Sequence, residues 1–307
     1  MTRYVGQAIK RKEDPRLVSG TSSYVDDIVL PGALHLALVS SIHAHARIKS
    51  IDISRAQKVR GVHSVITGKE TAANCGAVPA IGDFPDIKRP THHLLAVDKV
   101  KFVGEPVVAV LASDKYVARD AAEMVEIDYD PLPAVTNPEK AIEAGSTVVH
   151  DEFQDNRAYT FGWANGDIDG AFRDADVVVK ERFINQRLAP VAMETRGVAA
   201  SLQMPDNELV IWSSTQIPHL LKTQLALLVG VPENRMRVIA PEVGGGFGSK
   251  LNVYAEEGLV AYLAKKTVLP VKWIESRREN LAATIHGRDQ INDVELALKK
   301  DGSILGM

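Results

Sequence analysis

The sequence predicts a mixed α/β or α+β protein, and three observations carry that prediction. Short apolar runs rich in valine, leucine and isoleucine alternate with segments of helical periodicity. The connections between them are short and marked by Pro, Gly, Asp and Ser. The chain has 307 residues, 45% apolar and 24% charged. That is long enough to bury a sizeable core and too ordinary in composition for disorder, collagen or coiled coil.

Ala33–Ser40 alternates around Leu34, Leu36 and Leu38 and reads as a strand. Ser54–Val59 reads as a short helix capped by Ser54, and Val62–Thr67 as a strand. Gly76–Pro90 is rich in Pro and Gly and reads as a long loop. Glu105–Ala112 is apolar almost throughout, as a strand buried on both faces is. Asp114–Val125 is a helix that Ser113 or Asp114 caps, with Val117, Ala121, Met124 and Val125 at helical spacing. Glu126–Tyr129 returns to strand, and Pro131 and Pro133 stop it. The Pro- and Gly-bearing stretch Asp130–Gly145 marks a domain boundary, with a first domain over 1–135 and a second over 145–307.

The second part alternates in the same way. Val177–Phe183 and Leu209–Ser213 read as strands. Ile217–Val229 reads as a helix with Thr215 as cap, Pro218 in its first turn and a stripe of Leu221, Leu225 and Leu228. Gly230 ends it in a left-handed conformation. Arg235–Ala240 is a strand, Gly244–Gly248 a glycine loop, Val253–Lys265 a helix and Leu269–Glu275 a strand. Ser276–Glu279 fits a capping box. Ile291–Lys299 alternates Val294, Leu296 and Leu298, and Asp301–Gly302 signals a hairpin turn. Only Ser303–Met307 come after that turn, too short an arm for the strand before it. The expectation is therefore a fragment, or one half of a split protein.

Charge and cysteine content narrow the function classes. There are 36 basic and 39 acidic residues, a net charge of -3, so a nucleic-acid partner has no compositional support. The single cysteine, Cys75, cannot build a disulfide, a four-cysteine zinc site or an iron–sulfur cluster. No N-terminal leader is evident, and no apolar run approaches the ~18 residues of a membrane span. A soluble, cytoplasmic protein is expected. The nine histidines are scattered without metal-ligand spacing, and no Gly-x-Ser-x-Gly elbow is present.

Three motifs carry chemistry. Pro241–Lys250 reads PEVGGGFGSK, with four glycines in five residues between a strand and a helix. Glycine permits positive φ and close approach of a ligand to the backbone, and the N–H groups of such a loop cradle polar or anionic groups. Phe247 inside it must pack on something or wall a pocket. A tight structural turn is the alternative, and the loop fits neither the Walker A nor the dinucleotide fingerprint. Ser214–His219 (STQIPH) places Gln216, an amide donor and acceptor, at a helix start; the alternative is plain capping by Ser214 or Thr215. Arg187–Gly197 (RLAPVAMETRG) contains Glu194, for which a Glu194–Arg196 ion pair is the alternative.

In this order, with a GVPENR turn at Gly230–Arg235 between the second motif and the glycine loop, the chain resembles the large, molybdopterin-binding subunits of the molybdenum hydroxylases. That family includes xanthine dehydrogenases, aldehyde oxidoreductases and aerobic carbon monoxide dehydrogenases. The stretch RKEDPRLVSGTSSYVDD from Arg11, with His43–Arg47 (HAHAR), Gly61–Thr67 (GVHSVIT) and Lys101–Ala109 (KFVGEPVVA), resembles its a/b hammerhead domain. Ala189–Gly197 (APVAMETRG) and His286–Gln290 (HGRDQ) fit as well.

The resemblance implies a hammerhead domain followed by part of a molybdopterin-binding α/β domain. It implies a cofactor contact at Gln216 and a loop of Gly245, Gly246, Phe247 and Gly248 along the pterin, with Phe247 as a wall. Glu194 would support the residues that touch the cofactor. The metal is held by the cofactor, with no direct protein ligand in this chain. Leu251 stands where xanthine-type members carry a substrate-binding glutamate, which disfavours xanthine. The catalytic base and most cofactor contacts are expected beyond this chain, so no catalytic residue is assigned within it. The cofactor is a molybdenum–pterin, in plain or cytosine dinucleotide form, shared with a chain carrying the C-terminal half. FAD on a medium subunit and [2Fe-2S] centres on a small subunit complete the expected complex. The reaction class implied is oxidation of an aldehyde, an N-heterocycle or carbon monoxide with oxygen drawn from water. The rival readings are a non-catalytic scaffold or assembly fragment of the same family and an unrelated nucleotide-binding α/β enzyme.

Overall fold

The computed structural model describes residues 4–80, 82 and 84–307. Ile81 and Asp83, in the expected Gly76–Pro90 loop, lie outside the described residues. The first third contributes α1 (Asp14–Val18), β1 (Leu34–Ser40), β2 (Ala46–Asp52), β3 (Val62–Thr67), α2 (Gly68–Asn74), β4 (Lys99–Val100), β5 (Pro106–Ala112), α3 (Lys115–Ala122) and β6 (Glu126–Pro131). The remainder contributes α4 (Pro138–Ala141), α5 (Ile168–Arg173), β7 (Val177–Asn185), β8 (Gly197–Gln203), β9 (Glu208–Ser213) and α6 (Pro218–Val229). It continues through β10 (Met236–Ile239), α7 (Ala255–Thr267), β11 (Val271–Ile274), α8 (Arg277–Ala283), β12 (Gln290–Leu298) and β13 (Ile304–Gly306).

Local chemistry explains most starts and stops. The Asp114 carboxylate accepts the N–H groups of Tyr116 and Val117 at 2.8 and 3.0 Å and so starts α3, a cap typically worth about 1 kcal/mol. Gly230 ends α6 at φ +62°. Ser276 and Glu279 form the reciprocal capping box of α8. The helix expected over Ser54–Val59 is instead one 3-10 turn, Ala56–Lys58. Asp52 organises that corner by accepting the Ser54 N–H at 2.8 Å, so Ser54 does not cap a helix.

Seven strands form one sheet in the order β10-β9-β8-β11-β1-β5-β3. All seven residues of β5 are buried, as its continuous apolar sequence requires. β1 pairs antiparallel with β5 on one side and parallel with β11 on the other, Leu34 facing Val271. The sheet therefore runs across the Pro-rich stretch at 130–145, and so does the core. Leu34, Leu36, Ile66, Leu94 and Leu111 pack in the same cluster as Leu209, Leu225, Leu259 and Trp273.

Strands β2 and β8 had no expectation in sequence. β8 (GVAASLQ) is more than half Gly, Ala and Ser, which have little intrinsic strand preference, yet its first five residues are buried between β9 and β11. A small sheet, β4-β2-β6, flanks the first third. The third sheet is β13-β12-β7. There β12 finds its full-length partner in β7, with pairs from Gln290↔Asn185 to Leu298↔Val177. The short arm after Asp301–Gly302 is thus not the main partner of β12, and β7 accounts for the length of that strand.

Candidate functional site

β9 and β10 are parallel neighbours, with Met236 beside Leu209 and Ile239 beside Trp212. Two parallel strands deliver their succeeding loops to the same carboxyl edge of a sheet, where open α/β sheets bind ligands. β9 delivers Ser214, Thr215 and Gln216 there, and β10 delivers the glycine loop. β8 runs antiparallel to β9, so the residues before it, Glu194 among them, start at that edge too. The three motifs, distant in sequence, converge for this topological reason.

Gln216 is tied to the loop at three points. Its backbone N–H donates to the Lys250 carbonyl at 2.9 Å. Its Oε1 accepts the N–H groups of Gly248 at 3.1 Å and Lys250 at 3.2 Å. Two donors on one oxygen fix the amide orientation and leave its NH2 outward. A Cβ on Gly246 would lie 2.3 Å from Gln216 Oε1, so this glycine is needed for close approach. Gly245 and Gly248 use the other glycine property, with φ of +99° and +86°.

Phe247 has φ +50°, uncommon for a residue with a side chain. The residue is 76% exposed, so it walls no enclosed cavity in this chain, and its ring edge lies 3.1 Å from where a Cβ on Gly245 would stand. Among the described residues no protein group accepts the backbone N–H of Gly245, Gly246 or Phe247. Three consecutive free donors with no Cβ at two of them suit the acceptor atoms of a cofactor.

Beneath the loop lies a buried polar cluster. Lys250 Nζ donates to Ser214 Oγ at 2.7 Å, Glu194 Oε2 at 3.0 Å and the Glu194 carbonyl at 3.1 Å. Glu194 Oε2 also accepts from Ser214 Oγ at 2.6 Å and from the Gly244 N–H at 2.7 Å. A Cβ on Gly244 would meet Glu194 Cβ at 2.5 Å. Burial lowers the Lys250 pKa, and its bond and charge pairing with Glu194 oppose that shift. Glu194 thus holds the loop from below. The ion pair considered between Glu194 and Arg196 does not form. Arg196 is paired with Glu275 at 2.6 Å and Glu256 at 3.0 Å and lies over the Tyr254 ring at 3.8 Å. Burial works against the Arg196 charge, but the two carboxylates outweigh it and raise its pKa.

Sequence reasoning passed over Lys250 and Ser214 as site residues. The available signal was a lysine placed directly between a glycine loop and an apolar helix, where a long cation must find a buried acceptor. Thr215, expected to cap α6, receives the Ile217 N–H at 3.2 Å just ahead of the helix. Among the described residues no group of three or more His, Cys, Asp or Glu side chains forms a metal-ligand cluster.

The chain matches the family described as Molybdopterin cofactor-binding domain over residues 149–307. It matches the Aldehyde oxidase and xanthine dehydrogenase, a/b hammerhead domain over residues 19–133. It is 40% identical to the carbon monoxide dehydrogenase large chain of Afipia carboxidovorans, over 97% of this chain and 38% of that protein. It is 39% identical to the 6-hydroxypseudooxynicotine dehydrogenase complex subunit gamma of Paenarthrobacter nicotinovorans, over 99% of this chain and 38% of that protein. Its fold superposes on quinoline 2-oxidoreductase from Pseudomonas putida 86 with a TM-score of 0.93 and 36% identity, over 99% of this chain and 38% of that one. The chain thus spans about 38% of the length of these relatives.

Proposed function

The chain belongs to the molybdopterin-binding large-subunit family of the molybdenum hydroxylases, and on that premise we propose that its carboxyl sheet edge is one wall of a molybdenum–pterin site. The observation that carries the reading is the trio of unpaired N–H groups at Gly245, Gly246 and Phe247, held beside the outward amide of Gln216. Gln216, Gly245, Gly246, Phe247 and Gly248 hold the cofactor, and Glu194 fixes the loop from beneath. A bound molybdenum–pterin, in plain or cytosine dinucleotide form, supplies oxidative hydroxylation with oxygen from water. The chain's own part is to bind, orient and wall off. Gln216 presents an amide donor, the loop presents backbone donors, and Phe247 excludes water from one side.

The domain division is a hammerhead over 1–135 and a molybdopterin-binding portion over 145–307. The whole enzyme acts on an aldehyde, an N-heterocycle or carbon monoxide. Leu251 offers no hydrogen bond to a purine, which weighs against xanthine. The base and the remaining cofactor contacts come from polypeptide equivalent to the rest of the relatives' length. FAD and [2Fe-2S] subunits carry the electrons onward, in agreement with the single cysteine, and a cytoplasmic location suits this reduced thiol. Among the described residues no helix is long and apolar enough to cross a membrane.

The test is Gly246→Val in the enzyme produced together with its complementing polypeptide. The new side chain must displace the Gln216 amide, which sits where the Cβ would go. Molybdenum and pterin content per folded complex should fall at least tenfold, with unchanged circular dichroism. Unchanged metal content would reduce the loop to a structural turn.

A further inference from the structure

Two residues with bulky side chains take left-handed backbone beside the glycine loop. Phe247 is one, and Val191 is the other, at φ +44°. A β-branched residue keeps that conformation only where its surroundings hold it, and strained positions of this kind cluster at functional sites. Val191 opens the bend that leads to Glu194. Both ends of this stretch are fixed independently. Leu188 and Gly287 exchange backbone bonds at 3.1 and 2.9 Å, and Thr195 Oγ1 donates to the Glu275 carbonyl at 2.7 Å. Between them, among the described residues, the hydrogen bonds to the backbone of 190–193 come from one side chain. Arg277 Nη2 donates to the Ala192 carbonyl at 2.6 Å and to the Met193 carbonyl at 2.9 Å.

Arg277, on α8, is itself held in place. Its Nη1 donates to Asn280 Oδ1 at 2.9 Å. The buried Asn280 donates in turn through Nδ2 to Glu275 Oε2 at 2.7 Å and to Thr284 Oγ1 at 3.1 Å. The planar guanidinium can thus serve two carbonyls on one side and a fixed amide on the other. The bend it holds packs against the glycine loop. The Glu194 N–H donates to the Gly244 carbonyl at 3.1 Å. A Cβ on Gly245 would lie 3.3 Å from the Ala192 Cβ and 3.1 Å from the Phe247 ring edge. Ala192 and the Phe247 ring therefore border the same small space at Gly245.

We infer that Arg277 is a positioning residue for the cofactor loop. By fixing the Ala192 and Met193 carbonyls it sets where Ala192 and Glu194 stand. Through those two residues it sets Gly244, Gly245 and the direction in which the Phe247 ring faces. This rests on the reading of the loop as one wall of the molybdenum–pterin site. Control of that wall then extends to α8, outside the three motifs that form it.

The experiment places para-fluorophenylalanine at position 247 and follows it by fluorine NMR. The protein is the enzyme produced together with its complementing polypeptide, made in a host that synthesises the cofactor and in one that does not. In the cofactor-free complex the unsubstituted Arg277 should give one sharp fluorine line. Arg277→Met, which keeps an apolar stem and removes every donor, should give a second line. It should also speed exchange of the Gly244 N–H about tenfold, as loss of one or two charge-assisted hydrogen bonds allows. In the cofactor-producing host its molybdenum content should fall roughly threefold or more, because the cofactor must then order the loop on binding, with circular dichroism unchanged. Arg277→Lys keeps a cation that can donate to both carbonyls and should reverse part of each effect. Arg278→Gln, at the exposed neighbour on α8, should change none of them. If Arg277→Met does not assemble, Ala192→Gly supplies the test. It leaves both carbonyls for Arg277, removes the side chain beside Gly245 and should give the same second line. A fluorine line and an exchange rate unchanged in Arg277→Met overturn the inference. So do a single unchanged line in Ala192→Gly, no recovery with Arg277→Lys, or an equal effect of Arg278→Gln. Failure of the cofactor reading is distinguishable, because it would show as unchanged metal content in Gly246→Val whatever the fluorine line does.

Discussion

Lys250 shows how one side chain can anchor a whole loop from beneath. Its ammonium is buried and touches Glu194 and Ser214, and Glu194 in turn binds the first glycine of the loop through the Gly244 N–H. Lys250→Met keeps the length and removes the charge, leaving Glu194 without its cation. Breaking a buried pair from one side typically costs about 3–5 kcal/mol. Glu194 keeps 18% of its side-chain surface exposed, so the expected loss is about 3 kcal/mol, at the lower end of that range, read as a shift in urea midpoint. A loss below about 1 kcal/mol, the level of an exposed pair, would show that the cluster is solvated in solution. At this scale Gln216, Glu194 and the glycines were legible, because their motifs are local strings. The partner of Glu194 was not. Its choice of Lys250 over the nearby Arg196 depends on a contact 56 residues away.

Helix α7 carries a titratable group where an apolar helix would be expected to have none. Residues Ala255–Ala264 are all buried, including Glu256 and Glu257. Glu256 is paired with Arg196, which outweighs the effect of burial and lowers its pKa. Among the described residues Glu257 forms no ion pair, and the Arg196 charge acts on it only weakly beside burial. It closes a capping box by accepting the Tyr254 N–H at 3.0 Å and receives Ser213 Oγ at 2.5 Å. Burial pushes its pKa up from 4.5 to about 7, with those two bonds pulling the other way. The folded state therefore prefers the protonated acid more than the unfolded chain does. Its contribution to stability is full below pH 4.5 and is lost as pH rises towards about 7. Glu257→Gln should flatten that part of the profile, so the wild-type minus variant difference in urea midpoint should become less favourable as pH rises from 4.5 to about 7. A difference that grows more favourable with pH contradicts the assignment. The periodicity of α7 was readable, since Leu259, Tyr262 and Leu263 lie on a buried stripe. That Ala255–Ala264 are buried on every side was not, because their enclosure comes from α6 and the sheet packed around them.

The shared sheet sets the behaviour of the whole molecule. β1 is held between β5 from the first third and β11 from the second part, and one core cluster spans both. Units that share a core unfold cooperatively. Calorimetry should show a single transition, and Leu36→Ala and Leu259→Ala should both move that same transition. Each removes a buried leucine side chain from the common cluster, at a typical cost of about 2–5 kcal/mol. Two resolved transitions, each moved by only one variant, would mean that the Pro-rich stretch at 130–145 separates independent folding units.

The amino-acid sequence by itself determined the identity of most elements and the chemistry of the loop. Apolar periodicity, caps and glycine placement act over a few residues, and burial rewards them in any topology that provides a core. It also determined the family resemblance, since those motifs keep their order. Only the tertiary structure decided that β1 lies beside β11, that Gln216 Oε1 binds the backbone of the glycine loop, and that β12 pairs with β7 along its full length and with its own hairpin arm only at one end. Each of these is a choice among partners that are equally compatible with the local pattern. The choice is made by which arrangement buries the apolar surface of both parts of the chain at once, and no short window of sequence contains that information.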